Sequence, residues 1–129
     1  FEESLSKIML DVNKEMKWNF KLKQFEPLQY SLYGVGDHYN WHVDSHSMPY
    51  DDGKVRKLSF TIFLNDDYEG GEFDLCIPHP KEGYHQTYTQ PGMKGTMIIF
   101  PSFIWHKVRP VTKGVRKSLV GWTLGPNYV

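Results

Sequence analysis

The sequence predicts a mainly β fold, a two-sheet jelly roll or double-stranded β-helix with an N-terminal helix packed against it. Three observations lead there. The apolar residues Leu5, Ile8, Met9, Val12 and Met16 recur at helical spacing, behind Glu2 and Glu3, whose charges favour a helix N-terminus. Beyond them, short segments rich in Phe, Tyr, Val, Ile and Thr are broken by Gly, Pro, Asp and Asn, the texture of an all-β sandwich or barrel. With 129 residues, 40% of them hydrophobic, the chain can bury a core without disulfides, and a single domain over 1–129 is expected.

Taken in order, the pattern predicts a helix over Leu5–Met16 and strands over Phe25–Tyr33, Tyr39–Val43, Lys57–Leu64, Glu72–Leu75, Thr96–Phe100, His106–Arg109 and Arg116–Thr123. Two polar, turn-rich stretches interrupt this rhythm, Ser45–Val55 and Ile77–Gln86, and are read as loops of the kind that bind or cover ligands. They carry Met48, Pro49, Tyr50, Pro78, His79 and Tyr84, apolar and hydrogen-bonding groups without a charge cluster, which suits an extended peptide better than a phosphate backbone. There is no internal repeat, low-complexity tract or linker.

Composition excludes some function classes. Lysine plus arginine equal aspartate plus glutamate at 15 each, so no overall basic field draws nucleic acid to the chain. The longest apolar runs, such as Met97 to Phe100, are too short to span a bilayer, so no membrane partner is expected. One cysteine, Cys76, and no signal-peptide pattern point to a reducing, cytoplasmic or otherwise intracellular setting. Because the chain opens on Phe1 and not on methionine, further residues upstream are expected. Nothing in the sequence fixes an oligomeric state.

Residues two apart on a strand share a face, so His42 and Asp44 can point into one barrel mouth. An HxD pair alone is a weak signal. His106 follows an apolar strand and the turn Pro101-Ser102, which would bring a second imidazole back toward that mouth. Two histidines and a carboxylate on one face of a metal leave the opposite face open, as in non-haem Fe(II) oxygenases. Ten residues on, after a turn containing Pro110 and Gly114, Arg116 offers a planar fork that matches a carboxylate with two parallel hydrogen bonds.

The segment Tyr33-Gly34-Val35-Gly36 followed by Tyr39, His42 and Asp44 resembles prolyl 4-hydroxylases. The segments Leu58 to Leu64, Tyr68-Glu69-Gly70-Gly71-Glu72 and His106 to Arg116 resemble the bacterial and phage PKHD-type hydroxylases. Together they cover residues 28 to 124 and identify the chain as resembling an Fe(II)/2-oxoglutarate-dependent dioxygenase.

The resemblance implies His42, Asp44 and His106 as iron ligands and Arg116 as the anchor of the distal carboxylate of 2-oxoglutarate. It places Tyr33 and Trp122 at the co-substrate pocket, with a plain core aromatic as the rival role for Trp122. Ascorbate is a candidate for keeping the iron reduced. The implied reaction couples oxidative decarboxylation of 2-oxoglutarate to hydroxylation of an unactivated C–H, with a prolyl residue in a polypeptide favoured as substrate.

Animal and algal prolyl 4-hydroxylases usually carry lysine at the anchor, so Arg116 leaves the cofactor intact and loosens the link to proline. A free amino acid or other small molecule, an AlkB-like nucleic-acid demethylase and a cupin-like metal-binding protein are the alternatives. The second downstream arginine and basic groove expected of the demethylase do not stand out, and a cupin-like protein gives no reason for Arg116. Related halogenases leave the carboxylate position open for chloride, and Asp44 fills it here. His38, His46, His79 and His85 are read as rim or loop residues, Gly70-Gly71 as a turn, and Cys76 as a small buried apolar residue.

Overall fold

The computed structural model describes residues 2–22, 24–45, 54–78 and 85–126. One helix, α1 (Glu2–Glu15), opens the chain, and eleven strands follow: β1 (Gln24–Phe25), β2 (Gln29–Tyr33), β3 (Tyr39–His42), β4 (Lys54–Phe63), β5 (Glu69–Gly70), β6 (Phe73–Pro78), β7 (His85–Gln90), β8 (Met97–Pro101), β9 (Trp105–Val108), β10 (Val111–Lys113) and β11 (Arg116–Pro126). A major sheet runs β1-β11-β4-β8, with β2 also paired to β11; a minor sheet runs β3-β9-β6-β7; β5 and β10 form a short ribbon. Every pairing between these strands is antiparallel. The predicted jelly roll with a packing helix is what forms.

Two apolar clusters hold the layers together. Between the sheets, Phe63, Phe73, Leu75, Phe100 and Val108 are buried against one another. On the outer face of the major sheet, Leu5 and Met9 of α1 pack on Leu58 and Phe60. Burying side chains of this size contributes about 1.5–3 kcal/mol each. The buried stripe of the helix is Leu5, Met9 and Asn13, whereas Ile8 and Met16 are 42% and 57% exposed. Asn13 turns inward because both ends of its amide are used: Nδ2 donates to the Phe20 carbonyl and Oδ1 accepts the Phe20 N–H. That pair folds the chain back after the helix, through Lys17 and Asn19 at positive φ.

Two expectations are revised, and one strand was not expected. Phe25–Tyr33 is not one strand: it divides into β1 and β2 around Pro27, which has no N–H to give a ladder. The expected loop Ile77–Gln86 is shorter, because Ile77 pairs with Gln86 and Pro78 with His85 at the end of the β6–β7 hairpin. Strand β7 was hidden because all six of its residues, HQTYTQ, are exposed, so no apolar alternation marks it. Of the residues singled out in the two loops, His46, Met48, Pro49, Tyr50, His79 and Tyr84 lie outside the described residues.

Candidate active site

Strand register brings the two histidines together. His42 on β3 and His106 on β9 are directly opposite in the antiparallel ladder, so their side chains leave the same face as close neighbours. Their ring centroids are 4.1 Å apart. Asp44 follows β3, held where its N–H and that of Ser45 both donate to the Ser102 carbonyl. Its Oδ1 lies 3.5 Å from His42 Nε2 and 3.3 Å from His106 Nε2.

The remaining atoms of these groups are already committed. His42 Nδ1 bonds the Asn40 carbonyl at 2.7 Å and His106 Nδ1 the Ile104 carbonyl at 2.9 Å, which fixes the proton on Nδ1 and turns the Nε2 lone pairs inward. Asp44 Oδ2 accepts from Ser59 Oγ at 2.6 Å and from Trp122 Nε1 at 2.8 Å. Ser59 and Trp122 face each other across β4 and β11, and Ser59 is tied on its far side to buried Ser102. One carboxylate oxygen and two imidazole nitrogens therefore converge within 4.8 Å of one another. Bare lone pairs so arranged repel unless a cation lies among them. Ligand atoms at about 2.1 Å from one ion and at right angles stand roughly 3.0 Å apart, close to the spacing here. The donor set fits a first-row divalent ion.

Burial alone would raise the Asp44 carboxyl, but the adjoining His106 imidazole and the hydrogen bonds from Ser59 and Trp122 outweigh it and bring the pKa down to about 2. His42 is pushed below its usual value, chiefly by burial. Asp44 and His42 thus favour their metal-binding protonation states near neutral pH.

Arg116 begins β11, directly opposite Tyr33 on β2. Alternation along β11 turns Arg116, Ser118, Val120 and Trp122 into the same cavity, of about 250 Å³, that His42, Asp44 and His106 line. The arginine is only 2% exposed. Its Nε donates to the Gly71 carbonyl and its Nη1 to Ser118 Oγ, while the rings of Phe63 and Tyr33 lie 5.1 and 5.6 Å from Cζ. Gly71 is at φ 65°, and a Cβ there would press on Arg116 Cδ at 3.0 Å, so glycine makes the close approach possible. The Tyr68 hydroxyl is buried near enough to feel the guanidinium, yet makes no hydrogen bond of usual geometry. No carboxylate among the described residues pairs with Arg116. Burial lowers its pKa. A guanidinium keeps its charge even so, and one sealed beside a metal-binding triad with donors to spare is an anion site.

Residues 28–124, a span that contains the triad and Arg116, match the 2OG-Fe(II) oxygenase superfamily. The chain belongs to that superfamily. Oxygenases of this superfamily use Fe(II) and 2-oxoglutarate, and the triad and Arg116 are the parts of this member that suit them. A PKHD-type hydroxylase of Hyphomonas neptunium is 38% identical over 102 residues, 77% of this chain and 43% of that protein. Another, of Rippkaea orientalis, is 34% identical over 122 residues, 93% of this chain and 52% of its own length. The chain thus spans about half the length of the curated relatives it matches. Among solved structures, a Pseudomonas putida prolyl-4-hydroxylase superimposes with a TM-score of 0.70 at 25% identity, over 92% of this chain and 62% of that one. The viral collagen prolyl hydroxylase of Paramecium Bursaria Chlorella virus-1 shares the fold, with a TM-score of 0.69 at 21% identity, over 95% and 71%.

Every site residue expected from the sequence lines the same cavity, Tyr33 and Trp122 included. Trp122 touches the triad itself, through the carboxylate of Asp44. His38 and His85 are exposed and outside the cavity, and Cys76 is a half-buried free thiol. Ser59, Ser102 and Arg56 were missed. A serine inside the apolar run Leu58 to Leu64 was the visible signal for Ser59. Ser102, in a turn, gave none. No helix among the described residues is long and apolar enough to cross a membrane.

Proposed function

We propose that residues 1–129 form one catalytic domain that hydroxylates an unactivated C–H of a prolyl residue in a polypeptide, with His42, Asp44 and His106 holding Fe(II) and Arg116 holding 2-oxoglutarate. One observation carries the reading: a buried guanidinium without a carboxylate partner among the described residues shares a cavity with three converging ligand atoms whose other polar atoms are spent. That combination asks for a ligand with a metal-chelating end and a free carboxylate at the other. When bound, Fe(II) and 2-oxoglutarate would activate O₂ as the oxidant, one oxygen atom going to the new hydroxyl and the other to succinate as CO₂ is released.

The chain's own groups bind, orient and exclude water. The guanidinium fork of Arg116 takes the distal carboxylate, and the Tyr33 hydroxyl, on the opposite strand, can donate to the same dianion. With Oδ2 occupied by Ser59 and Trp122, Asp44 offers Oδ1 alone, leaving room at the metal for the co-substrate and O₂. Phe73 and Phe100 back the His106 ring, at 5.7 and 4.7 Å between centroids, and keep water from that side. The name of the Pseudomonas putida neighbour, a prolyl-4-hydroxylase, and the balanced charge of the chain support a peptide over a nucleic acid.

The test is succinate production in the presence of proline-containing peptides, free proline or methylated single-stranded DNA. Peptide-dependent turnover is expected. Stimulation by free proline alone would move the protein to the small-molecule hydroxylases, and stimulation by methylated DNA alone would overturn the peptide reading. Independently, anaerobic addition of Fe(II) and 2-oxoglutarate should give the weak visible charge-transfer band of the chelate.

A further inference from the structure

The described cavity has a second arginine that the reaction does not call for. Arg56 lines it, and its Cζ lies 3.9 Å from the centroid of the Trp122 ring. Glu26 holds it there: one carboxylate oxygen, Oε2, accepts from Arg56 Nε at 3.0 Å and pairs with Nη2 at 2.9 Å. Glu26 is itself fixed to the tryptophan it serves, since its backbone N–H donates to the Trp122 carbonyl.

A β-bulge makes the stack possible. Between β4 and β11 the register steps from Leu58↔Thr123 to Arg56↔Leu124, leaving Lys57 as the extra residue. In a regular ladder with no bulge, Lys57 would share a face with Ser59, and Arg56 would turn to the other side of the sheet. With the bulge, Arg56 and Ser59 both reach Trp122, one above the ring and the other beside the indole N–H on the carboxylate they share. The bulge is pinned in turn: the Lys57 carbonyl accepts from Ser102 N–H and the Arg56 carbonyl from Ser45 Oγ.

We propose that Glu26 and Arg56 are positioning residues for Asp44, acting through Trp122. The proposal rests on the reading of Asp44 as a metal ligand. A guanidinium over an indole face is held by the ring's electron density and draws on it, which makes the N–H a stronger donor. The strengthened bond to Oδ2 fixes the rotation of the carboxylate and keeps Oδ1 as its single metal-facing atom. Glu26 keeps Arg56 over the ring and away from the metal-facing oxygen.

The experiment uses protein labelled with ¹⁵N at its four tryptophan indoles, with the Trp122 resonance assigned by its loss in Trp122→Phe. Zn(II) affinity is measured by competition with a chelator. In Glu26→Gln, which keeps the backbone bond, the Trp122 indole proton should move upfield. Zn(II) affinity should fall by about 3- to 10-fold, less than the ~10–100-fold typical when a partner bonded directly to a ligand is lost. Arg56→Met should do the same.

The paired swap Glu26→Arg with Arg56→Glu can restore an ion pair but puts a carboxylate over the ring, so neither readout should recover. Unchanged indole resonance and Zn(II) affinity in Glu26→Gln would overturn the proposal, as would full recovery in the swap. Wild-type protein that binds no Zn(II) would sink the metal reading beneath it, and the indole resonance alone would then decide whether the pair positions Trp122.

Discussion

His42 and His106 face each other across β3 and β9, each with Nδ1 tied to the carbonyl two residues before it, so both Nε2 atoms meet the same oxygen of Asp44. Their surroundings differ: the His42 side chain is 25% exposed and that of His106 is 6% exposed against Phe73 and Phe100. His42→Ala and His106→Ala should both abolish metal binding. Only His106→Ala should also weaken the metal-free fold, by roughly 2–3 kcal/mol for a buried ring lost from the core. Urea unfolding of the two metal-free variants checks this, and equal losses would show that the rings are equivalent in packing.

Arg116 gives a test in which stability and binding part company. On the proposed role, replacing it with alanine would remove a shielded charge-assisted pair with the co-substrate, which should cost on the order of 2–5 kcal/mol of 2-oxoglutarate affinity with metal affinity nearly unchanged. Arg116→Met, similar in length and uncharged, should lose the same affinity yet unfold no more easily than wild type, because the free protein no longer buries an unpaired cation. Calorimetric titration of metal-loaded protein and a thermal melt of ligand-free protein give the two numbers. Undiminished 2-oxoglutarate binding in either variant would remove Arg116 from the site.

The Asp44 carboxyl, at about 2 against an ordinary 3.8, makes the metal-free protein sensitive to acid. A depressed carboxyl stabilises the fold above its unfolded pKa, and that contribution is lost as pH falls from about 4 through about 2. The shift is worth about 2 kcal/mol. Between those pH values wild type should lose about that much more stability than Asp44→Asn, measured by urea midpoints in the presence of a chelator. Parallel pH profiles would mean that the hydrogen bonds from Ser59 and Trp122 do not favour the charged form.

Much of this was legible in the sequence because it rests on period-two alternation. The inward set Arg116, Ser118, Val120 and Trp122 follows from strand spacing alone, as does the shared face of His42 and Asp44. What alternation could not supply was register. Nothing in the chain states that His42 lies opposite His106, or Ser59 opposite Trp122, because pairing between distant strands is set by the packing of the whole core. The bulge at Lys57 is the extreme case, since it reverses the face that counting assigns to Arg56. Strand β7 was invisible for the opposite reason: a strand exposed at every residue leaves no apolar period to read.

The place of β3 in its sheet has a consequence for how an ion and this chain depend on each other. Among the described residues β3 is one of the two outer strands of the minor sheet, four residues long, three of them exposed, with β9 as its ladder partner. Its ligands and His106 stand more than sixty residues apart in sequence. An ion seated there is a removable cross-link that closes a long loop, so metal uptake and the zipping of the β3–β9 seam strengthen each other. Starved of the ion, the protein should keep its helix, its major sheet and its aromatic core, and fray first along the margin that carries His42.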